Sequence, residues 1–165
     1  MLRVSKIIDY GTLVLTHMAS YPQRYFSAAD LAGILGVGLP TISKVLKTLG
    51  HHDLVRSMRG AHGGYVLSRP AEKISIAQVV DALDEQPFGL TECSATPGSC
   101  SFESDCRIKS NWLRINNIVR RTLEDISIAD MTRPIHVHTP THPELEVLSH
   151  ENSDRNSDRK NRLVP

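Results

Sequence analysis

The sequence predicts a mainly α-helical protein with a small β-hairpin, built as a winged helix-turn-helix with a long C-terminal dimerisation helix. Three observations predict it. Apolar residues recur at spacings of three and four along several stretches, the signature of helices with one buried face. Two short β-prone runs flank the glycine-rich segment MRGAHGG, the pattern of a hairpin. All three cysteines fall in the loop-like stretch CSATPGSCSFESDC, and the longest helical pattern of the chain follows it directly.

In residues 4–18, Val4, Ile7, Ile8, Val14, Leu15 and Met18 form one stripe, Gly11 on the same face permits close packing, and Lys6 and Asp9 fall off it. Ser27 with Asp30 three residues later reads as a capping box, starting a second helix that turns Leu31, Ile34 and Leu35 inward and stops at Gly36. After a short glycine turn, Pro40 sits in the first turn of a third helix that buries Ile42, Val45, Leu46 and Leu49. Two short helices joined this way form a helix-turn-helix, whose second helix enters a DNA major groove. Its outer face presents Thr41, Ser43, Lys44, Lys47 and Thr48, which reach phosphates and base edges, although any solvated helix has such a face.

Residues 54–57 and 65–68 are the expected strands, and the turn between them carries Arg59 and His62 among three glycines. Such a hairpin after a helix-turn-helix is a wing, with Arg59 suited to a narrow minor groove. Ser75 and Gln78 cap a further helix that buries Ile76, Val79, Val80 and Leu83 and ends near Glu85. The helix after Cys106 lines up Trp112, Ile115, Ile118, Val119, Leu123 and Ile126, more apolar face than a small winged domain covers. A second copy across a two-fold axis would cover the excess, and the homodimer would match a palindromic double-stranded DNA operator. Beyond about Arg133 the chain turns polar and rich in Pro, Ser and Asn, the composition of a disordered tail, and its scattered histidines are read as incidental. The expected partition is residues 1–86 for the DNA-binding winged helix-turn-helix, 87–106 for the cysteine loop, 107–131 for the dimerisation helix and a short terminal helix, and 132–165 for the tail.

Cys93, Cys100 and Cys106 are spaced Cys-x6-Cys-x5-Cys, wider than the gaps of paired ligands in structural zinc sites. Widely spaced thiolates on a loop suit the larger iron-sulfur cluster better. Zinc, or a disulfide with a spare thiol, stays open at this point. A cluster takes four protein ligands, so a fourth must come from another residue or molecule, and the loop itself offers Glu92, Glu103 and Asp105. The segment is a poor helix and a poor strand, so its order is expected to come from whatever the thiols bind.

The net charge is only +1, but residues 38–73 hold six Lys or Arg against Asp53 and Glu72, whereas residues 77–106 hold six acids and no Lys or Arg. Basic and acidic work are segregated along the chain. No signal-peptide pattern opens the sequence and no run is long enough to span a bilayer, which predicts a cytoplasmic protein with reduced thiols and no membrane partner. There is no Cys-x-x-Cys, no phosphate-binding glycine loop after a strand and no nucleophile with a base, so an enzyme is not expected.

LRVSKIIDYG at the start, RGAHGGYVLSRP at the wing, ISIAQVVDALDE, the TEC opening of the cysteine loop and the closing SIADM together resemble the dimeric winged-helix transcription regulators of the IscR and NsrR type, over roughly residues 1–131. Within them the LRVSK start, the RGAHGGY wing and LTECS look most like regulators of the SUF iron-sulfur assembly operon. The resemblance implies that Cys93, Cys100 and Cys106 hold an iron-sulfur cluster, 2Fe-2S or 4Fe-4S with the latter favoured, which modulates operator binding. IscR-like proteins take a histidine three residues after the last cysteine as fourth ligand, where this chain has Lys109. NsrR-like proteins use an aspartate of the first helix reaching across to the partner subunit, and Asp9 in the Asp9-Tyr10 pair matches it.

Overall fold

The computed structural model describes residues 4–60 and 63–133. Helix α1 (Lys6–Ala19) begins at Ser5, whose hydroxyl accepts from the Ile8 N–H, and buries Ile8, Gly11, Val14, Leu15 and Met18. Gly11 is where α1 crosses α4 (Ile76–Leu83): a Cβ there would stand 2.1 Å from the Leu83 Cδ1 atom. Val4 precedes the helix and is 70 % exposed, so the apolar stripe starts at Ile7 rather than at Val4.

Helix α2 (Ala28–Leu35) has the expected capping box, with Ser27 and Asp30 exchanging two hydrogen bonds of 3.0 Å, and ends at Gly36 with φ of 65° in the left-handed region. The hydrogen bonds from Ser27 hold the Asp30 carboxyl below its usual range. Leu31 is fully buried, but Ile34 is 50 % exposed, correcting the inward reading of that residue. The face turned to the core is Ala28, Leu31, Ala32 and Leu35, and Ile34 lies off its edge; an eight-residue helix can turn only one such stripe inward.

Helix α3 (Leu39–His51) starts at Gly38 with Pro40 in its first turn and buries Ile42, Val45, Leu46 and Leu49 as expected. Strands β1 (Val55–Met58) and β2 (Gly64–Leu67) pair antiparallel with Val55 opposite Leu67 and Met58 opposite Gly64, each one residue away from its expected span. The shift arises because Leu54 still donates to the Leu49 carbonyl at the end of α3. The wing is tied to the body by Phe26, which exchanges backbone hydrogen bonds of 3.0 and 2.8 Å with Tyr65 while its ring is fully buried beside His17 and Tyr21.

Residues Ala71–Lys73 form a 3-10 turn, and α4 follows with the Ser75–Gln78 capping box and Val79, Val80 and Leu83 buried. A short helix α5 (Glu92–Ala95) and the long helix α6 (Lys109–Asp125) come next, and α7 (Ile128–Met131) ends the described chain. Ile76 donates to the Ile126 carbonyl and Ile128 to the Ile74 carbonyl, both at 2.8 Å, so the terminal segment closes the winged core with a fully buried Ile128. No helix among the described residues is long and apolar enough to cross a membrane. The expected tail and its histidines lie outside the described residues, apart from its first positions.

Candidate cofactor loop and nucleic-acid interface

The cysteine loop hangs between α4 and α6. Its first part is fixed by protein groups. Phe88 packs on the core beneath the Arg120 guanidinium, and Arg120 makes a bidentate pair with Asp81 of α4 at 2.6 and 2.7 Å while also reaching Glu124. Asn116 of α6 is the one buried polar residue among those described, and its Oδ1 accepts the Leu90 N–H at 3.1 Å. A buried amide left without that partner would carry its full desolvation cost, so the bond pins residue 90 to α6. Thr91 and Ser94 then exchange hydrogen bonds that start α5. Cys93, in that helical turn, is buried with its Sγ 3.4 Å from the Thr91 hydroxyl.

This corrects the expectation that only a bound ligand orders the segment. The caps, the Asn116 amide and the packing of Gly89 do so locally. A Cβ on Gly89 would stand 2.4 Å from Ala95 backbone atoms, which cannot swing aside as a side chain can. Gly89→Ala should therefore displace α5 and Cys93, costing roughly 1–3 kcal/mol as other overpacking does, read as a lower urea midpoint and faster alkylation of Cys93.

The second part of the loop is held by Glu103. One carboxylate oxygen accepts the Gly98 N–H at 2.6 Å and the other pairs with Lys109 Nζ at 2.8 Å. The Lys109 ammonium, then the Gly98 N–H, hold the Glu103 carboxyl below its usual range, and Glu103 in turn holds Lys109 above its own. The Lys109 backbone N–H also donates to the Cys106 carbonyl at 3.4 Å. All three thiols are free, Cys93 buried and Cys100 and Cys106 half-buried.

In kind these donors fit an iron-sulfur cluster: three unpaired thiols on one loop. In position they are not yet gathered, since among the described residues no group of three or more His, Cys, Asp or Glu stands close enough to hold a metal ion. Of the carboxylates the loop offers, Glu103 is engaged, and Glu92 and Asp105 are exposed. Asp9 is exposed on the first turn of α1, whose principal neighbours are α2, α3, α4, α7 and β2, whereas α5 packs on α6. Within one chain Asp9 and the thiols belong to different packing neighbourhoods.

In the winged domain, Ser43, Lys44 and Lys47 of α3 are exposed, with Thr41 and Thr48 half-buried at the edges of the same face. Arg56 and Arg59 of the hairpin are exposed too. The wing turn requires its glycines: a Cβ on Gly63 would stand 2.2 Å from the Met58 carbonyl oxygen. His62 lies outside the described residues. Arg69, one of the six cations counted in this half, is used internally, donating to the Asp53 and Lys73 carbonyls and to Gln78.

Sequence reasoning missed Asn116, the Arg120–Asp81 pair and the Glu103–Lys109 pair. Asn116 had a signal: it lies four residues after Trp112 and three before Val119, inside the apolar stripe, where an amide needs a buried partner.

Residues 4–134 match the Rrf2 family, described as iron-dependent transcriptional regulators. Among solved structures, IscR of T. potens is 27 % identical with a TM-score of 0.62, covering 79 % of this chain and 85 % of its own. CymR of Staphylococcus aureus is 25 % identical with a TM-score of 0.62, covering 81 % of this chain and 100 % of its own. CymR of B. subtilis, titled the global cysteine regulator, is 23 % identical with a TM-score of 0.64, covering 80 % and 97 %, and shares the fold. The fold thus recurs over most of this chain in these solved structures. The chain belongs to the Rrf2 family of transcriptional regulators.

Proposed function

We propose that this protein is a cytoplasmic homodimeric regulator whose grip on a double-stranded DNA operator is set by an iron-sulfur cluster, and that it governs genes of SUF iron-sulfur assembly. The observation that carries the reading is the trio of free thiols on a loop bonded to α6, in a chain of this family. Cys93, Cys100 and Cys106 would hold the cluster, with Asp9 of a second copy as fourth ligand. Such a group would supply an inorganic core joining the three thiolates, and its oxidation or loss would leave the loop held only by Asn116, Thr91, Ser94 and Glu103. A carboxylate is a harder, more labile ligand than a thiolate, which suits a sensor. Support for the second copy comes from α6, where Trp112, Ile115 and Ile118 are 38, 43 and 56 % exposed on the outward stripe.

The chain's own contacts supply the path to DNA. Asn116 holds the loop to α6, Arg120 ties α6 to Asp81 of α4, and α4 packs on α3. A shift of the loop is thereby passed to the helix whose Thr41, Ser43, Lys44 and Lys47 face the major groove, with Arg59 and His62 at the wing. Coupling of about 1–3 kcal/mol would change operator affinity roughly 5- to 150-fold.

The test is a mobility-shift assay on the protein's own upstream region and on SUF promoters, using anaerobically purified protein before and after chelation. Iron and sulfide in equal amounts with a cluster-dependent shift support the reading; zinc without sulfide, or equal shifts in both forms, overturns it. Lys44→Ala and Arg59→Ala should each weaken binding across sequences and lower the salt slope by about one.

A further inference from the structure

Lys109 stands three residues after Cys106 and is held by Glu103, a pairing that the function above does not use. The Glu103 side chain is only 14 % exposed, and its two oxygens join Gly98, two residues before Cys100, to the first residue of α6. The carboxylate therefore closes a ring of chain that contains both Cys100 and Cys106 and seats it on the helix. Gly98 has φ of 84°, a conformation that aims its N–H inward at little cost only because it is glycine. An ammonium so paired has no lone pair to give a metal, so Lys109 acts through Glu103 and not as a ligand.

We propose that Glu103 and Lys109 form a latch that positions Cys100 and Cys106, making both positioning residues of the metal site. The inference rests on reading the loop as the cluster site. It divides the loop in two. Cys93 sits in a turn preset by Asn116, Thr91 and Ser94, with the Ser99 hydroxyl linking it to the latched half through the Glu92 carbonyl, whereas Cys100 and Cys106 lie within the ring that the latch closes.

The experiment uses full-length protein as wild type, Glu103→Ala, Lys109→Met and Lys109→Arg, purified without oxygen. In chelated protein, alkylation by N-ethylmaleimide is mapped cysteine by cysteine. Glu103→Ala should react roughly threefold faster at Cys100 and Cys106, the effect of losing a partly exposed ion pair, with Cys93 unchanged. In coloured protein, chelator-driven bleaching should be about tenfold faster in Glu103→Ala and Lys109→Met, as for other groups that support metal ligands, and near wild type in Lys109→Arg. Equal alkylation patterns, acceleration at all three cysteines alike, or equal bleaching in every variant would overturn the latch. Wild-type protein without iron and sulfide would instead overturn the cluster reading, and the alkylation pattern alone would then decide the latch.

Discussion

Alanine at Cys93, Cys100 or Cys106 is expected to leave anaerobically purified protein without visible absorption and without stoichiometric iron and sulfide. The reasoning is chemical. Thiolates are the ligands that iron-sulfur clusters require, and the described chain has no fourth cysteine and no ready cluster of other donors to compensate. The fold should survive, because the three sulfurs are free and form no cross-link, and the loop's order rests on Asn116, Thr91, Ser94 and Glu103. Unchanged far-ultraviolet circular dichroism with lost colour is the expected pair of results. Asp9→Ala should differ in degree, retaining colour at first and losing it faster in air, since a water or thiol can replace a carboxylate. A triple cysteine variant that keeps its colour would disprove the assignment.

Phe26→Ala is expected to have the largest effect on stability, about 3–5 kcal/mol, a large share of the roughly 5–15 kcal/mol typical of a domain. The ring is fully buried, packs edge-on to His17 and Tyr21, and lies under the Arg24 guanidinium at 4.7 Å. The same residue carries the two backbone hydrogen bonds that anchor the wing at Tyr65. The cavity would open where hairpin and helices meet. Urea unfolding should show a lower midpoint at an unchanged slope. Ile34→Ala is the natural control: a half-exposed isoleucine of α2 should cost under about 1 kcal/mol.

Most of the architecture was legible because its punctuation is local. Ser27 with Asp30, Ser75 with Gln78, Pro40 and Gly36 each act within one helical turn, so a reader of the chain meets cause and effect together. Ile34 was misread because apolar spacing marks a face without saying how wide the covered face is. The turn at Glu92–Ala95 was missed because a four-residue helix has no period to detect, and the bond that seats the chain just before it, from Leu90 to Asn116, spans 26 residues. The site is legible in its ligands and not in its assembly. Thiols are conspicuous in any sequence, whereas the partners of Asn116 and Arg120 lie 26 and 39 residues away and that of Lys109 across the loop. Asp9 looks like any solvated carboxylate, and its proposed duty arises only across a subunit boundary.

Trp112 is the chain's one tryptophan, six residues past Cys106 on the uncovered stripe of α6. Its indole ring is therefore an intrinsic fluorophore placed where the proposed pairing of α6 and the proposed filling of the loop would both be felt. Covering the stripe removes water from the ring and moves its emission to shorter wavelength, while a nearby chromophore drains its excited state. One spectrum, taken on unlabelled material, would follow subunit association by colour and occupancy of the loop by brightness.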